Sequence, residues 1–449
     1  MKGPILLTIL FPIIFIGISL QAQINTKVNL SFENKVPSWL AENDVPAVGI
    51  GLIENGKIKY VKVFGELKKG IPAPDNTIFG VASLTKPVVA MLTLKLVNAG
   101  QWDLDEPLFH YWVDPDVAND PRHKKLNTRI VLRHQTGFPN WRNNEKLAFK
   151  FEPGTDTQYS GEGFEYLRHA LENKFNQSLV KLSDSLLFTP LGMKDTRFYW
   201  DKNIDTSRFA FFHNFEEELY ERFTPVDNGI SEVNSAASLL TTIEDYCKFG
   251  IDVMNGAGLS EKLFNDMIST QVKDQGLCWS IIKDLPDGEY VLEHGGSSNG
   301  IKTQAIFLPK SKRGLVVFTN GDNGAAVINN VIIESVDIGE TLVDSIFGIH
   351  DTSEIVSLSD EILEKYVGTY KNEDGELFTV EKKPGVLRIR IVSGAAPKVT
   401  YYPETETKFF SKYEDIQIEF LKNDIGQIAR MTIRQHGQIL FDTKKINQN

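Results

Sequence analysis

The hydrophobic pattern of this chain changes at about Ser353, and the change limits the folds that it can adopt. Before that point, apolar runs with helical spacing are mixed with strand-like runs. After it, short alternating runs separated by turn residues cover 377–380, 387–392, 416–420, 428–434 and 439–441. A chain of 449 residues also exceeds one ordinary domain. We therefore predict a mixed α/β (α+β) domain over residues 24–350 and a small antiparallel, barrel-like β domain over residues 353–449.

The first residues resemble an export signal. Lys2 provides a positive start, residues 4–20 are almost continuously apolar, and the small residue Ala22 stands at a plausible cleavage point. We predict a signal peptide over residues 1–22 and an exported protein, periplasmic or secreted. The alternative is a single uncleaved membrane anchor, because the apolar stretch is near the short limit for a span. We find no later segment that is long and apolar enough to cross a bilayer.

Charge and cysteine content exclude several classes of protein. The formal net charge is −11, which argues against a general nucleic-acid binder. Cys247 and Cys278 could form one disulfide in an exported protein, or they could be two buried thiols. Neither has metal-ligand spacing to another Cys or His, so we predict no metal and no organic cofactor.

The larger domain contains recognisable elements. Residues 47–53 and 58–64 flank Asn55-Gly56, which predicts a β-hairpin. Apolar residues at helical spacing predict a helix over 85–99, ended by Gly100. Further helices are expected over 164–174, 179–187 and 238–254, and strands over 291–294, 303–308 and 314–319.

Ser83 and Lys86 form an S-x-x-K pair at the start of the helix predicted over 85–99. Residues three apart share one helix face, so the Lys86 amine can reach the Ser83 hydroxyl. A serine becomes a good nucleophile when a neighbour takes its proton, and a lysine can do so if burial or a nearby cation lowers its pKa. The pair alone is weak evidence, because Ser178–Lys181 and Ser280–Lys283 have the same spacing. The alternative is a helix N-cap beside a solvated lysine.

Several further sequence motifs support a catalytic role for Ser83 and Lys86. With Ser83-Leu84-Thr85-Lys86 they resemble, in order, the motifs of the serine β-lactamase and penicillin-binding-protein superfamily, in its branch related to class C β-lactamases. The runs are Leu132-Arg133-His134-Gln135-Thr136-Gly137, Phe151-Glu152-Pro153-Gly154, Tyr159-Ser160-Gly161, Pro190-Leu191-Gly192-Met193-Lys194-Asp195-Thr196 and His294-Gly295-Gly296. The resemblance implies an antiparallel sheet flanked by helices, a helical subdomain and an active site between them.

The resemblance also implies catalytic roles. Ser83 would attack a carbonyl and form an acyl-enzyme, and Lys86 would accept or direct its proton. Tyr159 would share the role of base and protonate the leaving group; the sequence does not decide which of the two holds the proton. A cation beside Tyr159 would favour its phenolate. His294 would stand where the family has the lysine of K-T-G, and its charge would change near neutral pH.

The strand that carries His294 would complete the site. The resemblance implies an oxyanion hole formed by the backbone N–H groups of Ser83 and Ser297. Gly295 and Gly296 would let the substrate backbone approach closely. By contrast, we expect His134 to be structural.

One position departs from the family. Its second motif is usually Y-x-N, and Gly161 replaces the asparagine here. Glu162 could substitute for it. The loss of that amide, with His294 in place of a lysine, favours an esterase or peptidase over an efficient β-lactamase.

We therefore expect a serine hydrolase that acts on an ester or amide of a small acyl or peptide substrate, including cell-wall peptide. The runner-up is a D-alanyl-D-alanine carboxypeptidase or a β-lactamase. The alternative of another class is a non-catalytic binder of peptidoglycan or of another acyl ligand. The oligomeric state and the role of the C-terminal domain stay open.

Overall fold

The computed structural model describes residues 30–198, 204–220, 233–270, 274–347, 353–392, 398–412, 415–435 and 437–446. The signal peptide predicted over residues 1–22 therefore lies outside the described residues. Within these ranges the strands are β1 Ala47–Glu54, β2 Lys57–Lys68, β3 Ile71–Pro72, β4 Phe79–Gly80, β5 Leu240–Thr241, β6 Ser280–Ile282, β7 Val291–Ser298, β8 Ile301–Leu308, β9 Arg313–Thr319, β10 Gly368–Asn372, β11 Leu377–Lys383, β12 Val386–Ile391, β13 Val399–Pro403, β14 Lys408–Phe410, β15 Ile416–Lys422, β16 Ile428–Gln435 and β17 Gln438–Ile446.

The α-helices of the described residues are α1 Val36–Asn43, α2 Thr85–Asn98, α3 Thr128–Leu132, α4 Gly161–Phe175, α5 Leu179–Ser183, α6 Thr189–Leu191, α7 Ile243–Met254, α8 Glu261–Met267, α9 Gly324–Ser335, α10 Gly339–Phe347 and α11 Asp360–Glu364. No helix among the described residues is long and apolar enough to cross a membrane.

One antiparallel sheet organises the larger domain. In the described residues it has seven strands in the order β3-β2-β1-β9-β8-β7-β6. The predicted hairpin is present: β1 pairs with β2, and Asn55 and Gly56 both have positive φ at the turn. Such a turn matches the twist of the strands, which explains why Asn-Gly occurs there.

Helices pack against both faces of this sheet. Alternate residues of β1 point to opposite faces and contact different helices. Val48, Ile50 and Leu52 pack in the cluster that contains α1 and α9. Gly49 and Gly51 face α7, and a Cβ on Gly51 would lie 2.5 Å from Cys247 Sγ. The glycines thus let α7 pack closely against the strand. Cys247 and Cys278 are buried free thiols, so the disulfide alternative is wrong for this structure.

The described part of the chain between α2 and β5 contains the predicted helical subdomain, and α4 packs there with α3 and α5. One expected boundary is wrong: the helix predicted from residue 238 begins at Ile243. Residues before it form β5, which pairs with β4, and the Thr242 side chain caps the helix by accepting from Asp245 N. The β5 pairing positions β4 just before the S-x-x-K turn.

Strands β10 to β17 form a closed antiparallel barrel, which confirms the barrel-like prediction. Its strands run in order from β10 to β17, and β17 closes on β10. The interior is filled by buried aromatic and aliphatic side chains, including Tyr370, Phe378, Phe420 and Met431. Closure leaves no unpaired strand edge on the barrel.

Charged side chains of the barrel pair with residues of the larger domain. Arg388, which is fully buried, and Lys383 both pair with Asp44 at the end of α1. Beside them, Thr400 Oγ1 donates to Asn43 Oδ1 at 2.8 Å. A second contact joins the 214–218 turn to the barrel. Glu216 accepts from Arg390 at 2.6 Å and from Lys398 at 2.5 Å. We call these two contacts the charged seam.

Asp44→Ala should strongly destabilise the protein. It would leave Arg388 buried without its carboxylate, and breaking a buried pair costs about 3–5 kcal/mol. The measurement is the free energy of unfolding in urea. Asp442→Ala is the matched control, because it breaks an exposed ion pair with Arg430 on the same barrel and should cost about 1 kcal/mol or less. Equal effects of the two substitutions would contradict the importance of the seam.

Candidate active site

Ser83 lies in a tight 3-10 turn, Ala82–Leu84, directly before α2. Ala82 has φ +46°, which is unusual for a residue with a Cβ and indicates local strain. Neighbours hold this turn in place: Thr303 Oγ1 donates to Val81 O at 3.0 Å, and Tyr246 Oη donates to Leu84 O at 2.9 Å. These two hydrogen bonds fix the turn, and the Ser83 side chain on it is partly exposed.

Lys86 is one helical turn later and fully buried. Its Nζ lies 3.2 Å from Ser83 Oγ and 3.0 Å from Ala236 O. Burial lowers the pKa of Lys86 to about 7, while the nearby Cys278 and Glu165 act in the opposite direction. A substantial neutral fraction therefore exists near neutral pH, as a proton acceptor requires.

Tyr159 lies in the segment before α4 and faces the cleft with 40 % of its surface exposed. Its side chain lines the cleft together with Ser83, and Lys86 Nζ stands 4.6 Å from the ring centroid. Burial is the largest influence and raises the pKa of Tyr159, although the neighbouring Ser83 side chain acts in the opposite direction. The expected stabilisation of the phenolate is therefore wrong: the cation lies over the ring, and Tyr159 is a proton donor near neutral pH.

His294 is on β7, with its ring centroid 6.4 Å from that of Tyr159. Its Nδ1 is 2.7 Å from Gly295 O, so the proton is on Nδ1 and Nε2 can accept. Burial, and then the charge of Lys86, lower the pKa of His294 to about 3. The expectation of a charge change near neutral pH is wrong, because His294 is a neutral acceptor there and no permanent cation replaces the lysine of K-T-G.

Strand β7 passes directly beside the nucleophile. A Cβ on Gly296 would lie 3.2 Å from Ser83 N and 2.3 Å from Val81 O, so only glycine fits. Gly295 faces the other side, where a Cβ would lie 2.9 Å from Gln304 Oε1. Ser297 follows at the strand end and lines the cleft with Ser83. The structure thus brings together the residues that were predicted for the oxyanion hole.

The structure explains why glycine replaces asparagine at position 161. A Cβ there would lie 2.5 Å from the ring of Trp141, which takes the space of a side chain. The neighbouring Asn140 lines the cleft, and its Oδ1 accepts from Gly161 N at 3.0 Å, which leaves its Nδ2 to donate elsewhere. Sequence reasoning missed this amide, because it comes from a different loop from the motif that lacks one.

Glu162 does not substitute for the missing asparagine. Its carboxylate is bound by Arg142, with Nη2 at 2.7 Å and Nε at 2.9 Å. Arg142 also pairs with Asp114, so Glu162 belongs to an ion-pair network that holds the 140–142 loop against α4. The suggestion that it replaces the asparagine is wrong.

His134 has a positioning role, as the structural expectation implied. Its ring is tilted against that of Tyr159, with centroids 4.3 Å apart, and its Nδ1 accepts from Ser160 N at 3.2 Å. Burial lowers the pKa of His134 well below its usual range, so the ring is neutral. The other two S-x-x-K runs are ordinary structure: Ser178 caps α5, and Ser280 lies on β6.

The cleft has a volume of about 640 Å³ and extends from Ser83 along β7. Besides the predicted residues, it contains side chains that sequence reasoning missed: Asn140, Glu293, Lys302 and Gln304. They meet because β7 and β8 pair antiparallel with Gly295 opposite Gln304 and Ser297 opposite Lys302. Among the described residues, no group of three or more His, Cys, Asp and Glu side chains could hold a metal ion.

Comparison with known proteins identifies relatives of both domains. The family model described as Beta-lactamase matches residues 32–336, and a domain of unknown function, DUF3471, matches residues 354–448. Penicillin-binding protein 4* of Bacillus subtilis is 23 % identical over 416 residues, which cover 82 % of this chain and 88 % of that protein. Esterase EstB of Burkholderia gladioli is 27 % identical over 227 residues, which cover 43 % and 56 %.

A solved structure resembles both domains together. The octameric penicillin-binding protein homologue from Pyrococcus abyssi has a TM-score of 0.59 and 20 % identity. The match covers 92 % of this chain and 99 % of that one. The likeness therefore extends through the barrel.

The pH dependence of acylation should follow Lys86. Since the amine must be neutral to accept a proton, kcat/KM should rise about tenfold per pH unit below pH 7 and level off above it. Glu165→Gln removes a carboxylate that raises the pKa of Lys86, so the midpoint should move to lower pH. His294→Gln should leave the midpoint in place. A midpoint that follows His294 and not Glu165 would assign the ionisation to another group.

Gly161→Asn should lower activity, although it restores the usual motif. The new side chain must displace Trp141, and such overpacking costs about 1–3 kcal/mol. The measurements are kcat/KM for an ester and the free energy of unfolding. The control is Gly192→Asn, where φ is +66° and no atom lies within 4 Å of the added Cβ. Adding Trp141→Ala to Gly161→Asn should recover stability; no recovery would show that Trp141 is not the obstacle.

Proposed function

Because this chain belongs to the β-lactamase family, we propose that it is a serine hydrolase that cleaves an ester or amide through an acyl-enzyme on Ser83. The observation that carries the proposal is the buried Lys86 amine, 3.2 Å from Ser83 Oγ, whose pKa is lowered to about 7. Lys86 is therefore the base, because burial raises the pKa of Tyr159.

The steps follow from this assignment. Ser83 Oγ attacks the substrate carbonyl, and its proton passes to Lys86 Nζ. The N–H groups of Ser83 and Ser297 bind the oxyanion, and such a donor contributes about 10²–10³-fold in rate. Tyr159, which lines the cleft with Ser83 and keeps its proton because its pKa is raised, donates that proton to the leaving group and regains one from Lys86. The bond to the leaving group breaks, and water then attacks the acyl-Ser83 ester, releasing the acid.

The cleft favours esters and small amides over β-lactams. His294 is neutral, so the site lacks the fixed cation of K-T-G, and Trp141 fills the place of the Y-x-N amide. The relative named as an esterase supports this choice. The relative named as a penicillin-binding protein supports the second candidate, a D-alanyl-D-alanine carboxypeptidase acting on cell-wall peptide.

We also propose that the protein works outside the cytoplasm, in the periplasm or as a secreted enzyme. The support is the apolar stretch over residues 4–20 after Lys2. N-terminal sequencing of the mature protein should give a start near Gln23. A chain that still starts at Met1 would contradict cleavage.

A fluorophosphonate probe should label the purified protein, and the label should vanish in Ser83→Ala, because the probe forms a covalent bond only with an activated serine. The matched control is Ser178→Ala, which changes the serine of another S-x-x-K run and should keep full labelling. Mass spectrometry locates the adduct.

Turnover then decides the substrate class. We expect 4-nitrophenyl esters to be cleaved faster than D-alanyl-D-alanine peptides, and both faster than nitrocefin. Faster cleavage of the D-alanyl peptide would favour the carboxypeptidase. A protein that is neither labelled nor active on the three substrates would be a non-catalytic binder.

A further inference from the structure

A hairpin over residues 212–220 lies between the barrel and the cleft, and we call it the strap. Its two arms pair with each other, and at its base Tyr220 N donates to Phe212 O at 3.0 Å. At its tip, Glu216 forms the second contact of the charged seam, the ion pairs with the barrel. One end of a paired element is therefore fixed to the barrel.

The other end of the strap is fixed to the sheet. His213 lies beside the end of β9, where its N donates to Asn320 O at 3.0 Å and its O accepts from Asp322 N at 3.1 Å. These two hydrogen bonds form a parallel bridge between the strap and the chain just after β9. A shift of the strap would therefore break backbone hydrogen bonds to the sheet.

The base of the strap also touches the turn between β7 and β8. Gly300 has φ +68° in that turn, and a Cβ there would lie 2.6 Å from Phe212 Cβ and 2.7 Å from His213 N. Glycine thus lets the turn and the strap meet backbone to backbone. Ser297, whose N–H is the proposed second oxyanion donor, is three residues before Gly300.

Asp322 joins the strap to this turn. The residue is buried, its Oδ1 accepts from Gly300 N at 2.6 Å, and its Oδ2 accepts from Tyr220 Oη at 2.5 Å. One carboxyl group therefore binds a backbone N–H of the turn and a side chain of the strap. The contact sets the position of the turn relative to the strap.

The position of the turn matters because the end of β7 is supported on one side. In the described residues, β6 pairs with β7 over Val291–Glu293, whereas Ser297 pairs with Lys302 of β8. The other edge of β7 at Ser297 faces the cleft. An oxyanion donor is effective when it is held about 2.7–3.1 Å from the developing charge, so support from the β7–β8 turn bears on the rate.

We propose that the barrel holds the oxyanion hole in its active geometry through the strap, with Asp322 as the positioning residue at the junction. The path runs from the ion pairs of Glu216, along the paired arms of the strap, to the contacts of Asp322 and Gly300 in the β7–β8 turn. The inference rests on the proposed function for its effect on the rate. It gives the C-terminal domain a role that the sequence left open.

Hydrogen exchange followed by mass spectrometry tests the path without requiring turnover. In the full-length protein, Glu216→Ala should speed the exchange of the backbone amides of residues 297–301 by about two- to thirtyfold. Glu218→Ala is the matched control, because that carboxylate accepts from Asn214 Nδ2 at 3.1 Å within the strap. It should leave these amides unchanged. Unchanged exchange in Glu216→Ala, or equal acceleration throughout the larger domain, would overturn the inference.

The role of Asp322 is tested by the preference for oxygen over sulfur at the scissile carbonyl. Sulfur accepts hydrogen bonds weakly, so the wild-type enzyme should cleave 4-nitrophenyl acetate faster than its thionoester. Asp322→Ala should lower kcat for the oxygen ester by about ten- to hundredfold, with little change in KM, because the donor acts mainly in the transition state. The oxygen-to-sulfur ratio of kcat/KM should shrink with it.

A conservative variant separates positioning from folding. In Asp322→Asn the amide oxygen can still accept from Gly300 N, and the amide nitrogen can donate to the Tyr220 hydroxyl, so most of the oxygen preference should return. Tyr220→Phe removes one of the two bonds and should shrink the ratio by less than Asp322→Ala does. Loss of activity in Asp322→Ala with an unchanged ratio would mean that Asp322 merely supports the fold.

The double variant tests whether the two ends belong to one path. Glu216→Ala alone should lower kcat by about two- to thirtyfold. Added to Asp322→Ala, it should cost little more, because the path is already broken. Full multiplication of the two effects would contradict a single path.

The exchange experiment also keeps this inference separate from the proposed function. A protein that the fluorophosphonate does not label, but whose turn amides respond to Glu216→Ala, would defeat the proposed function and support the path from the barrel. Labelling of a protein whose turn amides do not respond would do the reverse.

Discussion

The removal of the Lys86 amine from water is the constraint on which the rest of the site depends. An ammonium group that is fully buried loses its hydration, so the neutral form becomes accessible near pH 7. Cys278 and Glu165 limit this effect by raising the pKa of Lys86, and the carbonyl of Ala236 accepts a hydrogen bond from Lys86 Nζ. Glu165 also binds Ser235 N at 2.6 Å, so one carboxylate both tunes the amine and holds the loop beside it.

Close packing of β7 against the nucleophile turn is the second requirement. The Ala82 backbone is strained, and Thr303 secures that turn to the strand pair that carries His294 and Gly296. Any side chain at position 296 would collide with the turn. The same strand therefore places Ser297 beside the cleft and leaves room for a small group next to Ser83.

Local sequence signals predicted much of this structure. The Asn-Gly hairpin, the helix after Ser83 and the alternating runs of the barrel depend on short-range chemistry, and all are present. The family motifs predicted that Ser83, Lys86, Tyr159 and His294 lie near one another. Ser83, Tyr159 and His294 line one cleft, and Lys86 contacts Ser83 from behind; their catalytic roles stay predictions. The ionisation of Tyr159 and His294 was not predictable, because it depends on burial and on which side of a ring a cation occupies.

Contacts between residues far apart in the sequence were not predictable from local patterns. Asn140 and Lys302 reach the cleft through a loop contact and through strand register, and neither leaves a local pattern. Similarly, glycine replaces the usual asparagine at position 161 because the ring of Trp141, twenty positions earlier, occupies the space that a side chain would need. Such compensation becomes visible only when the partners are seen in contact.

The charged seam has a consequence for how the two domains unfold. Each domain has a separate hydrophobic core, so each could in principle melt by itself. Asp44 and Glu216, however, lie in the larger domain and their cations in the barrel. Unfolding of the barrel alone would leave Asp44 without Arg388 and Lys383. The loss of these ion pairs raises the free energy of unfolding the first domain, and their absence lowers that of unfolding the second. The seam thus couples two independent cores into a more cooperative unit.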